Sequence, residues 1–240
     1  MNGLNPAPIE PSLQLQPDLQ PRQIHTITDR FSMANTYLIV AKQLIVVDPC
    51  SELNVCLLYR YLHTVLRRSP ADIALVVLTN LHADQAEALA ALRRQALVPV
   101  AAAAALRKLA RSQRCVLDVA PRVLHSGLFP DNFERQLLFV DTWLEDAADL
   151  PFEPQWRVIA CPGHSPDSLC LYNPFTCELL CGDTVLGVER HMPVLRGGSD
   201  RSQLEDLLQF LRSLRIHYLY PGHGRPILAE QPLAHISIEW

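Results

Sequence analysis

The stretch TNLHADQAEAL occupies residues 79–89 and closes the apolar run IALVVLT at 73–79. A continuous apolar run of that length is expected for a strand covered on both faces. His82 and Asp84 stand two apart on the turn that follows, as paired metal ligands often do. Asn80 and Gln85 fill the neighbouring positions, where further imidazoles would complete a metal centre. The same residues also have a structural reading. Asp84-Gln-Ala-Glu87 has the form of a capping box, so Asp84 would simply start an Ala/Leu helix over about 85–96. Taken alone, the stretch favours capping.

Three further strand-like runs end in a polar residue on a tight turn. WRVIACPG leads to His164, ELLCG to Asp183, and HYLYPG to His223. Gly163, Gly182 and Gly222 directly precede these residues and let the backbone turn sharply there. Strand ends gathered at one rim of a sheet are where α/β folds place binding sites. Histidine and carboxylate together form the donor set for zinc, manganese or iron. Two Pro-Gly-His turns after apolar runs tip the balance at Asp84 from cap to site.

The rest of the chain supplies a scaffold for such a rim. Residues 1–22 are rich in Pro and Gln and read as an extension or edge segment, leaving 23–240 as a single domain. TYLIVA (36–41) and QLIVVD (43–48) predict a hairpin. Val55, Leu58, Leu62 and Val65 or Leu66 recur at helical spacing. VPVAAA (98–103) predicts a strand and ALRKLARS (105–112) a helix. LLFVDTWL and QWRVIACPGH are expected to be extended, and DSLCLY (167–172) and ELLCGD (178–183) to flank a turn at Asn173-Pro174. A helix over about 201–214 carries Leu204, Leu207, Leu208, Leu211 and Leu214 on one face, capped by Ser199 or Asp200. Alternating strands and helices give an α/β class with covered sheets.

Composition narrows the function classes. The 240 residues are 49% hydrophobic and 19% charged, enough for a large core. Net charge is -4 and no long Lys/Arg run occurs, so no nucleic-acid partner is expected. No apolar run is long enough to span a bilayer, so no membrane association is expected. The N-terminus has neither a basic start nor an apolar stretch, which predicts a cytoplasmic protein without a secretory signal. Seven cysteines without a CxxC pair predict buried small hydrophobes rather than a disulfide framework.

Together these residues resemble the metallo-β-lactamase superfamily, whose pattern is His-x-His-x-Asp-His, Pro-Gly-His, Gly-Asp and Gly-His in order. The counterparts are Asn80-Leu-His82-Ala-Asp84-Gln85, Pro162-Gly163-His164, Gly182-Asp183 and Gly222-His223. The hairpin NTYLIVAKQLIVVDPC looks like the family's opening, with Asp48 in the place of an acidic residue that supports the site. The resemblance covers roughly 23–226. It implies a four-layer αββα sandwich of two facing mixed β-sheets, with outer helices and a metal site at one edge. It also implies His82, Asp84, His164, Asp183 and His223 as metal ligands, with Asn80 and Gln85 as weak ligands or substrate contacts.

Asn80 and Gln85 depart from the pattern, one in each half of a dinuclear site. An amide oxygen is a weaker donor than imidazole for zinc. The resemblance then implies one zinc rather than two, with manganese or iron as alternatives. One arrangement uses Asp84, Asp183 and His223 with an open position for water; the competing one uses His82, His164 and Asp183. The implied chemistry is metal-assisted hydrolysis, in which the metal lowers the pKa of a bound water to about 7. Asp84 or His82 takes the proton, and Asn80 donates a hydrogen bond. Small-molecule esters, thioesters, lactones and phosphoesters remain as substrates. With so few residues after His223, the helical domain of the family's thioesterases is not expected. A non-catalytic binding or assembly module without a metal is the main alternative, favoured by Asn80 and Gln85. An iron-dependent dioxygenase acting on sulfur compounds is weaker, because that activity uses the imidazole that Asn80 replaces.

Overall fold

A computed structural model describes residues 23–81, 88–107, 140–187, 194–196, 201–234 and 236–239. Strands β1 (Ile24–Thr28), β2 (Asn35–Val40) and β3 (Leu44–Val47) form an antiparallel meander. The expected hairpin is its second half. Helix α1 (Glu52–Tyr61) follows, capped by the Ser51 side chain, which accepts from the Asn54 amide. One π-helical turn, Leu62–Leu66, extends it. The chain crosses over to β4 (Ile73–Val77), which runs parallel to β3. Helix α2 (Leu89–Gln95), β5 (Val100–Ala103) and β6 (Thr142–Leu144) complete a six-stranded sheet in the order β1-β2-β3-β4-β5-β6. The start of the expected 85–96 helix and its capping box at Asp84 lie outside the described residues. Of the expected helix at 105–112, residues 104–107 are helical and the remainder lies outside them.

The second half builds a facing sheet. Its strands are β7 (Asp149–Leu150), β8 (Glu153–Ala160), β9 (Leu169–Asn173), β10 (Glu178–Gly182), β13 (Tyr218–Pro221) and β14 (Ile227–Leu228), in the order β14-β13-β10-β9-β8-β7. β9 and β10 pair antiparallel around the expected turn, and helix α3 (Arg201–Ser213) supplies the parallel crossover to β13. The expected cap at Ser199 or Asp200 lies outside the described residues, as do residues 1–22.

Strand alternation sorts the apolar side chains into three cores. Leu44 and Val46 of β3 face α1 and α2, while Ile45 and Val47 face the opposite sheet. Leu169, Leu171 and Leu180 close the core between the sheets, while Cys170, Leu179 and Cys181 pack under Leu204, Leu208 and Leu211 of α3. Each fully buried leucine or isoleucine contributes roughly 1.5–3 kcal/mol. The architecture is therefore the expected four-layer αββα sandwich.

Two features differ from expectation. Cys56 is exposed, because α1 buries Asn54, Val55 and Leu58 and leaves Cys56 on the solvent side. The other described cysteines, Cys50, Cys161, Cys170, Cys177 and Cys181, are buried as expected. A third sheet, β11 (Val185–Leu186), β12 (Val194–Arg196) and β15 (Ser237–Glu239), was not foreseen. Its strands are too short to show a period-two pattern.

Candidate metal centre

The site lies where the C-terminal ends of β3, β4, β8, β10 and β13 meet. Asp48 follows β3 with φ of 53° and is fully buried. Its carboxylate accepts from the Thr79 amide and from the Thr79 hydroxyl, each at 2.8 Å. The carboxylate of one strand end thus fixes the backbone of the next, directly before Asn80. The Thr79 carbonyl in turn accepts from the Leu169 amide at 2.8 Å, tying the first sheet to the second. Asp48 thus reaches the strand end directly before Asn80.

Asp183 is the carboxylate at the centre. It is buried, with Oδ1 2.8 Å from His223 Nδ1, and Oδ2 accepting from Asn80 Nδ2 at 3.2 Å. Burial alone would push its carboxyl up. The His223 hydrogen bond and charge, the charge of His164 and the Asn80 amide outweigh that and hold it at about 2. His164 and His223 are both half-buried. The structure brings Asn80, His164, Asp183 and His223 together. His82, Asp84 and Gln85 lie outside the described residues.

Backbone close approach explains two of the glycines. A Cβ on Gly222 would sit 2.4 Å from Asp183 Oδ1, and one on Gly182, at φ of 48°, would sit 2.1 Å from Thr79 Oγ1. Gly222 is itself clamped, its amide donating to the Gly182 carbonyl and its carbonyl accepting from the Asn35 amide. The Asn35 side chain donates to the Pro221 and Gly224 carbonyls at 2.9 and 2.7 Å. Tyr37 donates to the Pro221 carbonyl at 2.5 Å. Asn35 and Tyr37 were not identified from the sequence as support for His223. The one signal present was Asn35 itself, an amide opening the strand NTYLIV.

Among the described residues, no group of three or more His, Cys, Asp or Glu side chains is arranged to hold a metal ion. The chemistry of the donors nonetheless suits one. Asp183 is kept ionised beside the imidazoles of His164 and His223, and the Gly222 cradle leaves the carboxylate room.

Comparison with known proteins decides the family. The model of the metallo-beta-lactamase superfamily matches residues 29–223. The chain belongs to the metallo-beta-lactamase superfamily. Its match to the probable metallo-hydrolase YqjP of Bacillus subtilis (strain 168) is 32% identical over 87 residues, 32% of this chain. That stretch spans only 27% of YqjP. Among solved structures, the metallo-beta-lactamase family protein TTHA1429 of Thermus thermophilus superposes with a TM-score of 0.61 at 19% identity, over 88% of this chain and 75% of that one. TTHA1623, solved in a di-iron-bound form, gives 0.57 at 24% identity, over 85% and 94%. The superfamily is one of metal-binding hydrolases, and these likenesses to solved structures establish the shared fold. Among the described residues no helix is long and apolar enough to cross a membrane.

Proposed function

We propose that this superfamily member hydrolyses an ester, thioester, lactone or phosphoester of a small molecule at a mononuclear metal centre. The observation that supports it most is the buried, ionised Asp183 carboxylate between the His223 ring and the Asn80 amide. Asp183, His164 and His223, completed by His82 or Asp84 from the first motif, would hold the ion. Zinc suits a carboxylate-imidazole set; iron, which TTHA1623 binds, and manganese are the alternatives. A divalent ion there would supply Lewis acidity and acidify the water it binds.

The protein's own groups do the rest. Asp183 orients the His223 ring through its 2.8 Å contact with Nδ1. Asp84 or His82 accepts the proton of the attacking water. Asn80 offers its amide as a hydrogen-bond donor beside Asp183. Asp48 and Thr79 hold Asn80 in place, so little reorganisation is needed when substrate arrives.

A chromogenic panel of esters, thioesters, lactones and phosphoesters, run with zinc-, manganese- and iron-loaded protein, tests the proposal. Turnover that disappears in Asp183→Ala and falls in Asp84→Asn is expected. No turnover by any loaded form would contradict it. One observation favours the second reading, a non-catalytic binding module: Asn80 places an amide, not an imidazole, on Asp183 Oδ2.

A further inference from the structure

Asp167 has no part in the ligand set, yet it is buried, at 2% exposure, in the loop that carries His164. Its Oδ2 accepts from the Leu81 amide at 2.9 Å, across 86 residues of sequence. Leu81 follows Asn80 directly. On the other side of Asn80, the Thr79 carbonyl accepts from the Leu169 amide at 2.8 Å. The backbone around Asn80 is therefore gripped on both flanks by residues 167 and 169, two apart in sequence.

The gripping loop is itself braced. The Ser165 and Ser168 hydroxyls share a hydrogen bond at 2.7 Å, and Ser168 Oγ also accepts from the Ser165 amide at 3.2 Å. The Ser168 amide donates to the Ser165 carbonyl, the Gly163 amide to the same carbonyl, and the Cys161 amide to the Ser168 carbonyl. One rigid turn thus presents His164 and Asp167 together. A carboxylate acceptor makes a stronger hydrogen bond than a neutral one. An Asn80 side chain aimed at Asp183 Oδ2 needs its backbone held at both neighbours, because rotation of one peptide would swing the amide away.

We propose that Asp167 is a positioning residue: it locks the Asn80–Leu81 peptide to the His164 turn and so sets the direction from which Asn80 meets Asp183. It acts through the Leu81 amide and touches no reacting atom. Its removal would orphan that buried amide and loosen the junction between the first and second motifs.

The test compares Asp167→Ala and Asp167→Asn with the parent chain by NMR, in chelator without metal. Asparagine keeps an acceptor oxygen at the same reach. In Asp167→Ala, Leu81 amide exchange is expected to accelerate about tenfold or more, and the Asn80 side-chain NH2 resonances to shift. In Asp167→Asn both are expected to stay near the parent values. If Asp167→Ala does not fold, Asp167→Ser, which is short of the reach needed, is read in the same way. Unchanged Leu81 exchange and unchanged Asn80 resonances in the alanine or serine variant would overturn the inference. This readout does not depend on the hydrolase reading, so the two fail separately. Where the parent binds zinc, Asp167→Ala is expected to weaken zinc affinity by roughly tenfold and Asp167→Asn to restore it. A fall in melting temperature with unchanged zinc affinity would also count against it.

Discussion

Asp183 and His223 are joined by a 2.8 Å hydrogen bond between carboxylate and ring, although they close two different strands. β10 and β13 are parallel neighbours, so both residues leave the sheet at the same end and meet there. The pairing makes Asp183 acidic, and acid behaviour follows from it.

Asp183 has a folded pKa of about 2, below its ordinary 3.8. A lowered carboxyl pKa stabilises the fold above the unfolded value and loses that contribution as pH falls through the folded one. The His223 hydrogen bond and the charges of His223 and His164 favour the ionised carboxylate. Acid titration of metal-free protein should therefore show a stability loss between about pH 4 and pH 2 that Asp183→Asn lacks. Parallel acid limbs for the two proteins, followed by circular dichroism, would refute this origin.

Gly222→Ala should disturb the centre without removing a polar group. Its Cβ would stand 2.4 Å from Asp183 Oδ1, so carboxylate or backbone has to move. A cost of about 1–3 kcal/mol in urea unfolding is expected, typical of overpacking. Metal affinity should fall with it. A neutral effect on both would mean that the turn yields freely.

Thr79→Val keeps the shape of the side chain but strips one donor from the buried Asp48 carboxylate. The expected destabilisation is about 1–3 kcal/mol, with Thr79→Ser recovering most of it. A larger loss in Thr79→Ser than in Thr79→Val would point to the methyl group and not to the hydrogen bond.

Much of this was legible because its signals are short and local. Leu44 to Val47 read as a buried strand without help from any partner, and each Gly-His or Gly-Asp turn marks its own strand end. What sequence reading missed depends on distant partners. Asn35 reaches Pro221 and Gly224 across 186 and 189 residues, and Asp167 reaches Leu81 across 86. Nothing local distinguishes these from loop polars. Cys56 was misread because a cysteine's burial follows the helix face on which it falls, and α1 turns that face outward.

Asn80→His would restore an imidazole beside Asp183. Together with Gln85→His it should raise metal content from one ion toward two, as the dinuclear pattern of the superfamily requires. Isothermal titration with zinc distinguishes the cases. A stoichiometry unchanged by both substitutions would show that the amides do not limit metal loading.

In the proposed function Asp183 anchors a working, reduced metal centre. Elemental analysis of protein purified without chelator or affinity metal tests it most directly, with Asp183→Ala as control. About one equivalent of zinc, manganese or iron is expected, absent from the variant. Metal-free protein that stays empty after reconstitution would contradict it and leave a retained fold with a binding role.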